Sequence, residues 1–254
     1  MLFNRKTRSQ PSATDSDANA QFIQHLIHDI QGDFLGVAGL CQSMRNSVAQ
    51  NKDITGLLHM LLENCRTYKY KLNNFLEFTR LQAGLTRSVR GHVNIRRLIN
   101  QVIDEYESLW IEKDARVHLD ISPALPEEVS CDEGRIQLIV TNLFVNAVSW
   151  SPAGSEVTVT AGFAVESGPF SNGKPAGRWT ITVYDNGEGM TEQQLAAVFA
   201  ASPADRAVLR NRTGLGLIVS RRVAEAILGG GLWLDSRPGK GMEVRLETPF
   251  YPSE

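Results

Sequence analysis

Val183-Tyr184-Asp185-Asn186-Gly187-Glu188-Gly189-Met190 decides the fold of this chain. It reads as an apolar strand tip that ends in a carboxylate, followed by two alternating glycines. Asn142-Leu143-Phe144-Val145-Asn146-Ala147 lies upstream on a helical pattern, and Thr213-Gly214-Leu215-Gly216-Leu217 opens another helix downstream. Taken singly, these are an Asp-Asn-Gly turn, a helix-end amide and a flexible helix entry. Taken together and in this order they describe one pocket. Asp185 can accept a hydrogen bond from an exocyclic amine such as adenine N6. Gly187 and Gly189 let the backbone approach a flat ligand or take positive φ. Asn146 offers an amide oxygen of the kind Mg²⁺ accepts while keeping waters and phosphate oxygens. Thr213, Gly214 and Gly216 leave backbone N–H groups at a helix start, where anions are favoured. The ligand implied is a nucleotide, with Mg²⁺ at its phosphates.

Outward from this stretch, the segment 93–254 alternates strands and helices. Apolar spacing predicts a helix over 94–113 and another over 132–149, with strands at 116–121, 156–161 and 179–184. The turn-rich stretch 166–177 reads as the tip of a long hairpin. A helix over 214–228 and strands at 232–235 and 242–248, split by Arg237-Pro238-Gly239-Lys240-Gly241, complete a sheet covered by helices. There is no regular βαβ alternation, so a Rossmann domain is not expected.

Towards the N-terminus the pattern is different. Ile23, Ile27, Ile30, Phe34, Val37, Cys41, Met44 and Val48 step by fours and threes, and the stepping resumes at Ile54, Leu58, Leu61, Cys65, Tyr68, Leu72 and Phe75. That spacing predicts two long helices in an antiparallel hairpin over 20–85. Leu26, Leu40, Leu57, Leu62 and Leu76 widen the apolar stripe beyond what one hairpin covers, which predicts a homodimer closing into a four-helix bundle. Residues 1–19 are small and polar and read as a flexible tail, and 86–92 as a linker. The fold class is α+β, a helical hairpin followed by an α/β sandwich.

The chain has 254 residues and a formal net charge of −2, with Lys and Arg scattered, which gives no footprint for nucleic acid or an anionic membrane. No apolar run is long enough to span a membrane. Three cysteines, Cys41, Cys65 and Cys131, without CxxC spacing argue against a disulfide framework or a zinc site. A cytoplasmic protein is expected.

On the three motifs the chain resembles the sensor histidine kinase family over about residues 20–250. Asn142–Ala147 is similar to the family's N box, Asp185–Met190 to its G1 box, Thr213–Leu217 to its G2 box, and Phe78-Thr79-Arg80-Leu81-Gln82-Ala83-Gly84 to its helix exit before the linker. The resemblance implies a Bergerat-type ATP-binding domain of the kind shared with type II topoisomerases, Hsp90 and MutL. It implies an ATP lid from Phe199 to Thr213 carrying Arg206, Arg210 and Arg212, one of which would meet the γ-phosphate. It makes Asn142 and Asn146 part of the nucleotide site. It also directs attention to His28-Asp29, which resembles the H box. Heptad stepping turns His28 out of the seam, and an adjacent carboxylate can hold one ring N–H while the other nitrogen attacks phosphorus. His25 lacks a following acid. The reaction implied is autophosphorylation of His28 and transfer to an Asp of a response regulator, with input from a separate sensor protein. Gly32 stands where many relatives carry the Thr or Asn that orients water, Ser149 where many carry Lys, and Arg212 in place of the first G2 glycine. Two other classes fit the same residues. One is a histidine phosphotransferase relay, or a pseudokinase scaffold, with a degenerate ATP domain; the other is a Ser/Thr protein kinase on the same ATP fold.

Overall fold

The computed structural model describes residues 36–37, 39–41, 43–44, 46–48, 54–85, 87–165, 177–200 and 214–250. Two units divide the chain, and their boundary falls inside one helix, between Lys71 and Leu72.

In the first unit the described residues between 36 and 48 are helical. Helix α1, Thr55–Gln82, begins here and continues into the second unit. It keeps a stripe of large apolar side chains in water, Leu58, Leu62, Leu72 and Leu76, and Met60 is exposed on another face. The connection expected at 50–53 and residues 1–35 lie outside the described residues, and so does the pairing of two helices into a hairpin.

The second unit holds a five-stranded sheet. In chain order the strands are β1 (Gly91–Val93), β2 (Arg116–Ile121), β3 (Val129–Cys131), β4 (Glu156–Val165), β5 (Gly177–Asp185), β6 (Gly231–Ser236) and β7 (Met242–Phe250). The sheet order is β2-β4-β5-β7-β6, with β1 and β3 forming a separate antiparallel pair. Only β2 and β4 run parallel among the described pairs, and the chain between them carries helix α4, Glu133–Trp150. This is one crossover, not a doubly wound sheet, as the sequence pattern requires.

Side-chain parity explains the single core. On β5 Trp179, Ile181 and Val183 are buried while Arg178, Thr180 and Thr182 are not, and β4 and β7 alternate in the same way. The buried face lies under helices α4 and α6 (Gly214–Ala226), and α2 (Ile95–Glu105) packs on α4. Helix α4 is buried on nearly all sides, through Ile136, Ile139, Val140, Leu143, Phe144, Ala147 and Val148. Asn94 and Asp132 cap α2 and α4 by accepting the N–H of Arg97 and Arg135.

Three sequence expectations need correction. The helix expected over 94–113 breaks at Tyr106 (φ −109°, ψ 23°), leaving α2 and the short α3, Glu107–Glu112. Apolar periodicity reports which face is buried, not whether the backbone continues. Gly91 and His92, within the expected linker, pair with Cys131 and Ser130 as β1. Helix α5, Glu192–Ala200, was not anticipated beyond its aromatic residue Phe199. Residues 166–176, the expected hairpin tip, lie outside the described residues.

Candidate functional site

Strand parity sends the side chain of Asp185 into the core. It follows Trp179, Ile181 and Val183 on the covered face and is 3% exposed. It is the last residue of the central strand, in register with Val157 of β4 on one side and Met242 of β7 on the other. Its position is therefore set by three strands. Oδ1 accepts the Gly187 N–H at 2.8 Å. Burial pushes the carboxyl above its ordinary value, and the backbone N–H groups of Gly187 and Met242 draw it part of the way back. The product is a desolvated acceptor at the rim of the sheet, suited to an exocyclic amine.

The glycines serve this placement. A Cβ on Gly187 would lie 2.7 Å from both Asp185 Oδ1 and the Trp150 carbonyl oxygen. Gly189 has φ +66°, and a Cβ there would lie 2.1 Å from the Arg237 carbonyl oxygen; one on Gly241 would lie 1.8 Å from the Asp185 carbonyl oxygen. The positive φ expected of this pair is found at Gly189. The close approach, however, is to the protein's own backbone, because the loop 186–190 is wedged between the end of α4 and the β6–β7 turn. Ser236 ties the two together, its Oγ accepting the Met190 N–H at 2.8 Å and donating to the Gly241 carbonyl at 2.7 Å. The Gly239 N–H donates to the Glu188 carbonyl at 2.7 Å.

Asn142 and Asn146 sit one turn apart on α4, on one face. Neither is at an exposed helix end, which corrects the expectation for Asn146: it is 7% exposed and Asn142 is fully buried. Their surroundings differ. Asn142 Nδ2 lies within hydrogen-bond distance of Asn74 Oδ1 (2.8 Å), the Gly216 carbonyl (3.0 Å) and Ser220 Oγ (2.9 Å), and Asn142 Oδ1 accepts from Asn74 Nδ2 at 2.8 Å. Its amide is engaged inside the protein rather than presented to a ligand. Asn146 Nδ2 is buried and has no partner among the described residues. A buried amide with an unmet end costs stability unless something arrives to satisfy it. A side-chain amide turned by 180° exchanges its oxygen and nitrogen, so the unmet position suits a cation, a phosphate oxygen or water. The residue present therefore fits Mg²⁺ with a polyphosphate.

Gly214 begins α6, Leu215 is half-buried, and Gly216 and Leu217 are buried. The Asn142 bond to Gly216 fixes this helix start beside α4. Thr213, Arg206, Arg210, Arg212, His28 and Asp29 lie outside the described residues. Among the described residues, no group of three or more His, Cys, Asp or Glu side chains is arranged to hold a metal ion, and no helix is long and apolar enough to cross a membrane.

Sequence reasoning missed Asn74, Ser220, Ser236 and Gly241. A signal existed for two of them. An Asn inside the apolar run 136–148 must find a buried partner, and Ser220 is the polar residue one turn past Gly216, directly after the apolar run 215–219. It also missed the ion cluster in which Arg135 Nε meets Glu77 Oε1 at 3.0 Å while its Nη1 meets Asp132 at 3.1 Å and the Arg87 carbonyl at 2.8 Å.

A helix-covered mixed sheet with a buried carboxylate at the end of its central strand, two amides on the adjoining helix and a glycine-rich helix start resembles an ATP-binding domain of the GHKL class. Residues 131–252 match the family described as histidine kinase-, DNA gyrase B-, and HSP90-like ATPase. Similar proteins include the sensor protein GacS of Pseudomonas syringae pv. syringae, 27% identical over 92% of this chain and 25% of GacS. The sensor histidine kinase WalK of Bacillus subtilis (strain 168) is 24% identical over 91% of this chain and 36% of WalK. The chain thus spans only a quarter to about a third of the length of these relatives. The crystal structure of full-length ShkA in complex with AMPPNP shares the fold, with a TM-score of 0.60 and 23% identity over 91% of this chain and 46% of ShkA. Over most of its length the chain is similar to sensor histidine kinases, and its second half matches their ATPase family.

Proposed function

We propose that this chain is a histidine protein kinase of a two-component system, using ATP to phosphorylate His28 and passing the phosphoryl group to an Asp of a response regulator. The observation that carries the reading is the buried Asp185 carboxylate, fixed by three strands and desolvated beside a glycine-wedged loop. Adenine would donate its amine to Asp185, and the phosphates would lie towards Asn146 and the Gly214–Gly216 helix start. Asn146 would hold Mg²⁺ through its amide oxygen, where the ion supplies positive charge against the phosphates. In the transfer, a bond forms between an imidazole nitrogen of His28 and the γ-phosphorus. The bond from that phosphorus to the β,γ-bridging oxygen breaks, ADP leaves with the electron pair, and Asp29 orients the ring by holding its other N–H. Asn142 has no carboxylate with which to activate water, and its amide is occupied by Asn74 and Ser220, so ATP hydrolysis is slow.

The exposed stripe Leu58, Leu62, Leu72 and Leu76 supports pairing of the helical stem with a second copy. A response regulator receiver domain, a separate input protein and a place in the cytoplasm belong to the same reading. Autophosphorylation with labelled ATP tests it. Wild type takes up acid-labile label, and His28→Ala and Asn146→Ala do not. Label retained by His28→Ala, or stable to acid, would remove the assignment in favour of a Ser/Thr kinase on this fold.

A further inference from the structure

Within the second unit the last part of helix α1 meets α4 through polar contacts that the α4 residues can do without. Asn74 and Glu77, 2% and 4% exposed, reach Asn142 and Arg135 of α4, with buried Phe78 beside them. Arg135 keeps Asp132 and the Arg87 carbonyl if Glu77 departs. Asn142 is the more informative half. Its Nδ2 carries two hydrogens and faces three acceptors, Asn74 Oδ1, the Gly216 carbonyl and Ser220 Oγ. One bond must be shared. When Asn74 withdraws, the two hydrogens serve Gly216 and Ser220 singly, and Asn142 Oδ1 turns to the water that replaces the helix. The Asn142 half of the contact can thus be released without leaving a polar group unmet.

Gly216 belongs to the helix start read as the phosphate site, and Asn146 lies one turn beyond Asn142. We propose that Asn74 is a positioning residue acting through Asn142. Docked, it dilutes the Asn142 bonds that hold α6 against α4 and so weakens nucleotide binding; released, it lets that junction tighten. This rests on the nucleotide site proposed above. By linkage, nucleotide must favour release of residues 72–82 to the same degree.

The test uses the whole chain with AMPPNP and Mg²⁺. Calorimetric titration should show Asn74→Leu binding about fivefold more tightly than wild type, the worth of one neutral hydrogen bond. Asn74→Asp, which sets a carboxylate oxygen against Asn142 Oδ1, should shift affinity the same way. Ser220→Ala should weaken binding by a similar factor, since the Asn142 hydrogens then go to Asn74 and Gly216 and the docked state gains. A merely structural role gives both sites the same sign. In wild type, which needs no substitution to be informative, AMPPNP should speed amide hydrogen exchange across 72–82. Unchanged or slower exchange, or an Asn74→Leu affinity equal to or below wild type, overturns the inference and leaves the nucleotide site standing. A wild type that binds no nucleotide removes both.

Discussion

Replacing Asp185 by asparagine separates what burial costs the fold from what it gives the ligand. The side chain keeps its shape, and Oδ1 can still take the Gly187 N–H. The exocyclic amine of adenine, however, would meet an amide nitrogen or a neutral oxygen in place of a charged acceptor. A hydrogen bond to a charged group contributes about 1.5–3 kcal/mol, so affinity for ADP or AMPPNP should fall roughly ten- to 150-fold. The same substitution should weaken discrimination against guanine nucleotides, whose O6 an amide N–H can meet. Stability should move differently. Desolvation by burial holds the Asp185 pKa above its ordinary 3.8 in the native state, so the native protein binds this proton more readily than the unfolded chain. Stability therefore falls as pH rises from 3.8 through the native pKa, and the cost of burying the ionised form is fully present above that window. The Asp185→Asn variant carries no such cost. Denaturation at a series of pH values should show the stability difference moving in the variant's favour as pH rises through the window, while titration calorimetry at neutral pH shows the affinity loss. Affinity within about twofold of wild type would refute the role given to the carboxylate. A stability difference independent of pH would refute the account of its burial.

The wedge around the 186–190 loop predicts a graded response among glycines at similar φ. Gly239→Ala at φ +71° meets nothing within 4 Å, so it should cost only the left-handed backbone term of about 1–2 kcal/mol. Gly189→Ala at φ +66° adds an approach of 2.1 Å to the Arg237 carbonyl, and Gly241→Ala at φ +77° one of 1.8 Å to the Asp185 carbonyl; each should cost about 1–3 kcal/mol more. Denaturant midpoints measure the series, and equal values for all three would exclude the wedge. Thiol labelling at mildly alkaline pH offers a separate check. Burial, then the Asp132 and Glu133 charges, push the Cys131 thiol up to about 12, so it should react only on unfolding.

The fold was legible where a local pattern has one structural meaning. Alternation at 179–184 and 242–248 could only be half-covered strands, and its parity already placed Asp185 on the covered face. The apolar run of α4 announced a buried helix. What stayed hidden depends on partners far away in sequence. Nothing within 91–93 or 129–131 marks them as strands, since three residues carry no periodicity and each exists because the other pairs with it. The 237–241 segment looked like a turn and is one, but its second role, bracing the loop after Asp185, follows from the β5–β7 register.

Asn142 carries this point furthest. By sequence it belongs with Asn146, one turn away on the same helix face, and the pair read together as ligands of a nucleotide. Three-dimensional packing splits them. Asn146 keeps an unmet buried nitrogen, whereas Asn142 is surrounded by Asn74, Gly216 and Ser220, which are 68, 74 and 78 residues away along the chain. A buried amide cannot be left half satisfied at small cost, so the second asparagine's role was fixed by whichever elements came to rest on it. Those elements are helix α6, whose start we propose as the phosphate site, and the end of helix α1. The residue thus ties α1, α4 and α6 together within the second unit.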